Sequence, residues 1–252
     1  MKVHEVELGN EHDSYYILPL SDLHVGDLHF NERKFIGYRD WILNNQNAYC
    51  FLNGDILNTA LKDSKSDVYS SMPPGKEIEK AINLLLPIRD RILTSVAGNH
   101  ERRHYISTGI DLSEILAYKL GCHYSGDETV LKIKCGKGNN NKPIVYTLYA
   151  THGHAGGRTI GAKANHLNNL SNIILTDIYV MSHIHTMSAH QGVMAVPDIR
   201  NNKVDYVKQT FVSSGAYLDR GGYAISHGYP HVKLGSPRIR LDGRKKDTHV
   251  SL

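Results

Sequence analysis

Five short apolar runs mark the first three quarters of the chain, and each breaks at once into polar side chains. Tyr16–Leu20 leads to Asp22 and His24, Tyr49–Leu52 to Gly54-Asp55, and Thr94–Ala97 to Gly98-Asn99-His100-Glu101. Val145–Ala150 leads to His152 and Ile178–Met181 to His183 and His185. Runs this short, ended by glycine or polar residues, predict buried strands whose ends share one edge. Helical spacing separates the early runs. Phe35 to Asn44 repeats at Phe35, Tyr38, Trp41 and Ile42, and Gly75 to Ile88 sets Ile78, Ala81, Ile82 and Leu85 on one face. Leu112 to Leu120 follows with Asp111 as N-cap, Glu114 in the capping-box position and Gly121 as C-cap. Val3 to Leu8 alternates as an edge strand does, so the chain through residue 121 reads as a layered α/β domain.

Beyond that point the pattern changes. Thr129–Cys135 and Pro143–Ala150 read as a hairpin across Asn139–Asn141, Ile160–Leu170 as a short helix and Asp177–Ser182 as a buried strand. Gln191–Val196, Val204–Ser213 and Val232–Leu241 read as antiparallel strands, which fits a mixed sheet or two packed sheets with helices outside. Thr59–Pro74, with Lys62, Asp63, Lys65 and Asp67, is the longest predicted loop and is expected over the site. One domain over residues 1–252 is expected, with a frayed basic tail from Gly243 to Leu252.

Composition adds bounds. With 252 residues, 40% apolar and 21% charged, the chain can bury a core without disulfide or metal staples. A charge of +4 permits polyanionic substrates without indicating a dedicated nucleic-acid surface. Cys50, Cys122 and Cys135 give neither an even count nor a CxxC spacing, so the expected setting is a reducing cytoplasm. No leader pattern and no apolar run near ~18 residues is present, and no membrane partner is expected. Of sixteen histidines, only His24, His100, His152, His183 and His185 sit in the strand-end pattern.

Those strand ends carry the chemistry. Asp22 and His24 are two residues apart, as are His183 and His185, a spacing that puts both side chains on one side of extended backbone. Asp55 offers two oxygens able to bridge ions ~3.5 to 4 Å apart. With His152 and Asn99 the set is two carboxylates, four imidazoles and an amide, without a thiolate. Such a mixture suits Mn, Fe, Zn, Co or Ni better than Mg or Ca and does not choose among them; two divalent transition-metal ions are expected, with Mn taken first. A binuclear centre polarises a phosphoryl oxygen and supplies a nucleophile near neutral pH, so phosphoester hydrolysis is the matching reaction. Asn99 is also a candidate helix N-cap.

The blocks Asp22-Leu-His24, Gly54-Asp55, Gly98-Asn-His-Glu101, His152 and Ser182-His-Ile-His185 resemble, in order, those of the calcineurin-like metallophosphoesterase superfamily, with Ser182 standing where that family has glycine. The resemblance implies a four-layer αββα sandwich. It also implies that Asp22, His24, Asp55 and His185 hold one ion and Asp55, Asn99, His152 and His183 the other. His100 would be the general acid, with Glu101 or another carboxylate setting its tautomer. Asn99, Arg102, His154 and Arg158 are expected substrate contacts, while Arg103 and His104 read as a solvated helix face.

A phosphodiesterase acting on nucleotides, cyclic nucleotides or nucleic-acid ends, single-stranded rather than duplex, is the first expectation. The alternative is a phosphomonoesterase, protein phosphatases included. Gly54-Asp-Ile-Leu-Asn-Thr-Ala60 lacks the arginine of that branch's second block. Only 67 residues follow His185, against the capping domain of the DNA-repair nuclease branch, so the compact stand-alone bacterial or phage type fits better. A non-catalytic scaffold would be expected to have lost His100 or several ligands. The sequence leaves a homo-oligomer open, with Tyr179, Tyr206, Tyr217, Tyr223 and Tyr229 able to line an interface, a substrate wall or neither.

Overall fold

Eleven strands are found among the residues the computed structural model describes, 2–62, 68–138, 141–154 and 159–252. In chain order they are β1 (Val3–Glu7), β2 (Ser14–Leu20), β3 (Ala48–Asn53), β4 (Ile92–Val96), β5 (Glu128–Cys135) and β6 (Ile144–Thr151). After them come β7 (Ile178–Met181), β8 (Ser188–Asp198), β9 (Lys203–Ser213), β10 (Arg238–Asp242) and β11 (Thr248–Ser251). The helices are α1 (Glu32–Asn44), α2 (Pro74–Leu85), α3 (Asn99–Thr108), α4 (Leu112–Leu120), α5 (Ile160–Asn168) and α6 (Gly222–Ser226). None of the described helices is long and apolar enough to cross a membrane.

The strands form two mixed sheets, one ordered β1-β5-β6-β7-β9-β8 and the other β11-β10-β2-β3-β4. Three apolar clusters separate the layers. Tyr15, Ile17, Phe51, Leu131, Tyr146, Leu148, Val180 and Ile239 fill the seam between the sheets. Leu18, Leu20, Cys50 and Leu52 face the other way, onto Phe35 and Ile42 of α1, Ala81 and Leu85 of α2, and Leu116 of α4. Tyr149, Tyr179, Met181 and Phe211 pack on Leu167 of α5 outside the six-stranded sheet. The result is the expected αββα sandwich. The strands β2, β3 and β4 run parallel, as do β6 and β7, so their carboxyl ends open onto loops at the sheet edges.

Several boundaries depart from the sequence reading. The helix expected to reach Ile88 ends at Leu85 and tightens into a 3-10 turn over Leu86–Arg91, because Pro87 cannot donate to a continuing α-helix. Of Val232–Leu241, only the stretch from Arg238 is extended; Gly235 at φ 121° and Pro237 bend the chain ahead of it. The basic tail does not fray: β11 pairs antiparallel with β10, Lys246 pairs with Asp177 at 2.7 Å and Lys208 with Asp247 at 2.7 Å. Residues 63–67 of the long loop and Asn139-Asn140 of the hairpin turn lie outside the described residues.

Candidate metal centre

Three of the donor loops, those after β2, β3 and β7, leave their strands through strained backbone. Asp22, His24, Asp55, His183 and His185 all have positive φ, between 50° and 69°. For a residue with a Cβ this costs roughly 1 kcal/mol each and persists only where the surroundings enforce it. The side chains therefore do not meet by projecting from extended backbone two residues apart, as the spacing suggested. Instead the chain coils after each strand, tied by Asp22 N–H to Gly54 O at 3.1 Å, His24 N–H to Asp55 O at 3.0 Å and Ser182 N–H to His152 O at 3.2 Å. Two glycines let these turns touch. A Cβ on Gly98 would lie 2.2 Å from the Asp55 backbone nitrogen, and one on Gly54, itself at φ +81°, would lie 2.6 Å from Gly98 Cα and from His152 Nδ1.

The donors gather into adjoining groups. Asp22, His24 and His185 form one, and Asp55, His152 and His183 another. In the first, His185 Nε2 lies 3.0 Å from Asp22 Oδ1 and 3.4 Å from His24 Nε2. In the second, Asn99 Oδ1 lies 2.7 Å from His183 Nδ1 and 3.1 Å from His152 Nε2. Asp55 Oδ2 stands between them, 3.2 Å from His152 Nε2 and 3.9 Å from His24 Nε2. Asp22 and Asp55 are buried, whereas His185 keeps about a third of its side chain exposed, which opens the centre on one side.

These lone pairs are crowded against one another. Asp22 Oδ1 is buried without a hydrogen-bond donor although it faces an imidazole nitrogen at 3.0 Å. Burial opposes charge on His152, but the Asp55 carboxylate outweighs it and pushes the imidazole up to about 10. Burial likewise works against the Asp22 carboxylate, yet His185 holds it down at about 2. Oxygen and nitrogen acceptors converging at 3 to 4 Å, with a formal charge of −2 on the two carboxylates, fit a pair of divalent cations.

His100 lies beside this cluster on the first turn of α3, its Nε2 3.8 Å from Asp55 Oδ2. Its Nδ1 lies 2.7 Å from the Asn58 carbonyl oxygen, to which it can only donate, and 2.9 Å from Arg103 Nη2, so that Nε2 is the nitrogen turned towards the cluster. Burial lowers its pKa, with Asp55 opposing. The Asn58 carbonyl thus occupies the tautomer-setting place expected of Glu101. The Glu101 carboxylate is spent on backbone instead: Oε2 accepts from Asp55 N–H and Gly98 N–H at 3.0 Å each, and Oε1 from Leu57 N–H at 2.8 Å. It ties the second block to the third. Gly98 is the N-cap of α3, so the Asn99 side chain is free to face His152 and His183.

Sequence reasoning missed the layer behind His100. Arg103, expected on a solvated face, is partly buried and donates to Thr59 O at 3.1 Å and Asn58 O at 2.6 Å. Thr59 Oγ1 donates to His100 O at 2.6 Å, and Thr59 N–H donates to Glu77 on α2 at 2.8 Å. Burial pushes the Glu77 carboxyl up to about 8. The available signal was a carboxylate four residues before Ala81 on an otherwise apolar helix face.

Other expected contacts fall outside the cluster. Both oxygens of Asp127 take up Arg102 Nη1, at 2.6 and 2.7 Å. His154 is exposed and pairs edge to face with His166, with 6.3 Å between ring centroids. Arg158 lies outside the described residues. Tyr179 and Tyr217 are core residues, which removes them as interface candidates, while Tyr206 is largely exposed and Tyr229 partly so. Of Tyr223 the side chain is not among those described.

A family model described as calcineurin-like phosphoesterase matches residues 23–223. Among solved structures, the chain is similar to a predicted phosphoesterase of Streptococcus pneumoniae, at 14% identity, 94% of this chain, 88% of that one and a TM-score of 0.41. It is similar to Vps29 of Chaetomium thermophilum at 11% identity, 94% and 96% coverage and 0.43, and to the calcineurin-like phosphoesterase YfkN of Bacillus subtilis at 13%, 94%, 90% and 0.39. Comparison with curated proteins returns no match.

Proposed function

The chain belongs to the calcineurin-like phosphoesterase family, and from that premise we propose that it hydrolyses phosphodiesters of nucleotides, cyclic nucleotides or nucleic-acid ends. The carrying observation is the meeting of two donor groups around Asp55 with the intact His100 imidazole at their side. Asp22, His24, Asp55 and His185 would hold one divalent ion, and Asp55, Asn99, His152 and His183 the other; the mixed nitrogen and oxygen set suits divalent transition metals, Mn, Fe, Ni, Zn or Co. When bound, the pair supplies Lewis acidity and a nucleophile at neutral pH.

The remaining work falls to the chain. In its doubly protonated form, which burial opposes and Asp55 favours, His100 gives the Nε2 proton to the leaving oxygen while Nδ1–H stays on the Asn58 carbonyl. Glu101 keeps the Asp55 loop against α3. A retained, oriented proton donor argues for catalysis over a scaffold. Among the described residues, the cationic side chains near the cluster support a diester over a monoester, since Arg102 is engaged by Asp127, Arg103 by Asn58 O, Thr59 O and the His100 ring, and Lys163 by Ile184 O and Thr186. Substrate with one negative charge asks for less.

The test is hydrolysis of a chromogenic diester beside its monoester after chelation and after adding Mn, Ni, Zn or Mg. Diester turnover restored by Mn is expected. Monoester turnover alone would replace the reading with a phosphatase, and silence with two ions bound would replace it with a scaffold.

A further inference from the structure

Ser182 is the one block residue that departs from the family pattern, and its hydroxyl is not idle. Ser182 Oγ accepts from Asn53 Nδ2 at 2.6 Å and lies 2.9 Å from Ser214 Oγ. Ser214 Oγ is 2.6 Å from Ser21 Oγ, which donates to Asp22 Oδ2 at 2.8 Å. Asn53, Ser182, Ser214, Ser21 and Asp22 are all fully buried. Asn53 ends β3 and Ser21 follows β2 of the five-stranded sheet, whereas Ser182 and Ser214 follow β7 and β9 of the six-stranded one. The hydroxyls therefore cross the seam beneath the centre.

Both ends of this chain of hydroxyls control a donor. At one end Asp22 Oδ2 takes the Ser21 hydroxyl and the His183 N–H, which turns Oδ1 towards His185. At the other, the Asn53 backbone carbonyl accepts from His152 Nδ1 at 2.8 Å, which turns Nε2 towards Asp55 and Asn99. Glycine at 182 would remove the oxygen that joins the two ends and leave the buried Asn53 amide without that acceptor.

We propose that Ser182 is a positioning residue whose hydroxyl couples Asp22 to Asn53 and His152 and so raises the affinity of both donor groups for divalent transition-metal ions. The proposal rests on the reading of the cluster as a binuclear centre. Outer-layer hydrogen bonds of this kind typically change metal affinity 10- to 100-fold. The experiment is calorimetric titration of Mn2+ into the chelator-stripped protein for wild type, Ser182→Gly, Ser182→Ala, Ser21→Ala and the Ser21→Ala/Ser182→Ala double variant. Denaturant unfolding of each metal-free form accompanies it.

Two bound ions in wild type and about tenfold weaker binding in each single variant are expected, with a double variant little worse than Ser21→Ala, because both substitutions break one chain. Wild-type affinity in the Ser182 variants, or losses that multiply in the double variant, would overturn the coupling while leaving the metal centre standing. A wild-type chain that takes up no Mn2+ would overturn the centre and the coupling together. If the Ser182 variants do not fold, Ser214→Ala replaces them in the same cycle with the same expected outcome.

Discussion

Replacing Glu101 by alanine should loosen the centre without removing any of its proposed ligands. The side chain is buried, and its two oxygens satisfy the N–H groups of Asp55, Leu57 and Gly98. Each buried donor left without an acceptor costs about 1–3 kcal/mol, so the gross loss is ~3–9 kcal/mol. Part is returned, because burial and then the neighbouring Asp55 already push the carboxyl up to about 7, which makes its charged form expensive to keep. A net destabilisation of about 2–4 kcal/mol follows. Glu101→Gln should fall between wild type and alanine, since one amide oxygen replaces two acceptors and the new NH2 faces a donor. Urea unfolding of metal-free protein at pH 7 measures the loss, and amide exchange at Asp55, Leu57 and Gly98 locates it. An alanine variant within about 0.5 kcal/mol of wild type, with those amides still protected, would refute the assignment.

Other consequences are sharper on function. His100→Asn should keep metal content and lower turnover of poor-leaving-group substrates ~100-fold or more, and unchanged rates would remove it as the acid. Asp55→Asn should reduce bound metal to one ion or none by elemental analysis, and two retained ions would end its bridging role. Glu77→Gln probes pH: with a folded-state value of about 8, above an ordinary 4.5, the folded protein keeps a proton that the unfolded chain has released. Stability present below pH 4.5 is thus lost as pH rises towards 8, by about 2–4 kcal/mol. The glutamine variant should match wild type near pH 4.5 and exceed it at pH 8 in chelator; parallel profiles would refute the buried acid.

Elements governed by local pattern are legible in the order of residues alone. The strand Ala48–Asn53 and the helix Leu112–Leu120, capped by Asp111 and Gly121, have the bounds that periodicity and capping residues predict. Local chemistry also marks the donors, because an apolar run that stops in Asp, His or Asn is visible in a line of text. The helix α3 is not legible in this way, since its polar, arginine-rich turns carry little apolar period. The strand β11 reads as a tail because its pairing with β10 is a tertiary fact.

Spacing, by contrast, could not say which side chains converge. Asp22-Leu-His24 is followed five residues later by a second copy, Asp27-Leu-His29. The second copy joins no donor group among the described residues; Asp27 Oδ1 merely accepts the His29 N–H at 2.8 Å. The two tripeptides are identical, and in the sequence only the apolar run ahead of Asp22 marks the first. What separates them is that the first lies where β2 ends against β3, opposite the loops after β6 and β7 of the other sheet, and sheet order and packing are set by contacts far apart in sequence. The chain's own order of residues determined which groups were on offer and where strands would stop. The stacking of two sheets decided which of them share a site, which carbonyl orients His100, and that Glu101 serves the backbone.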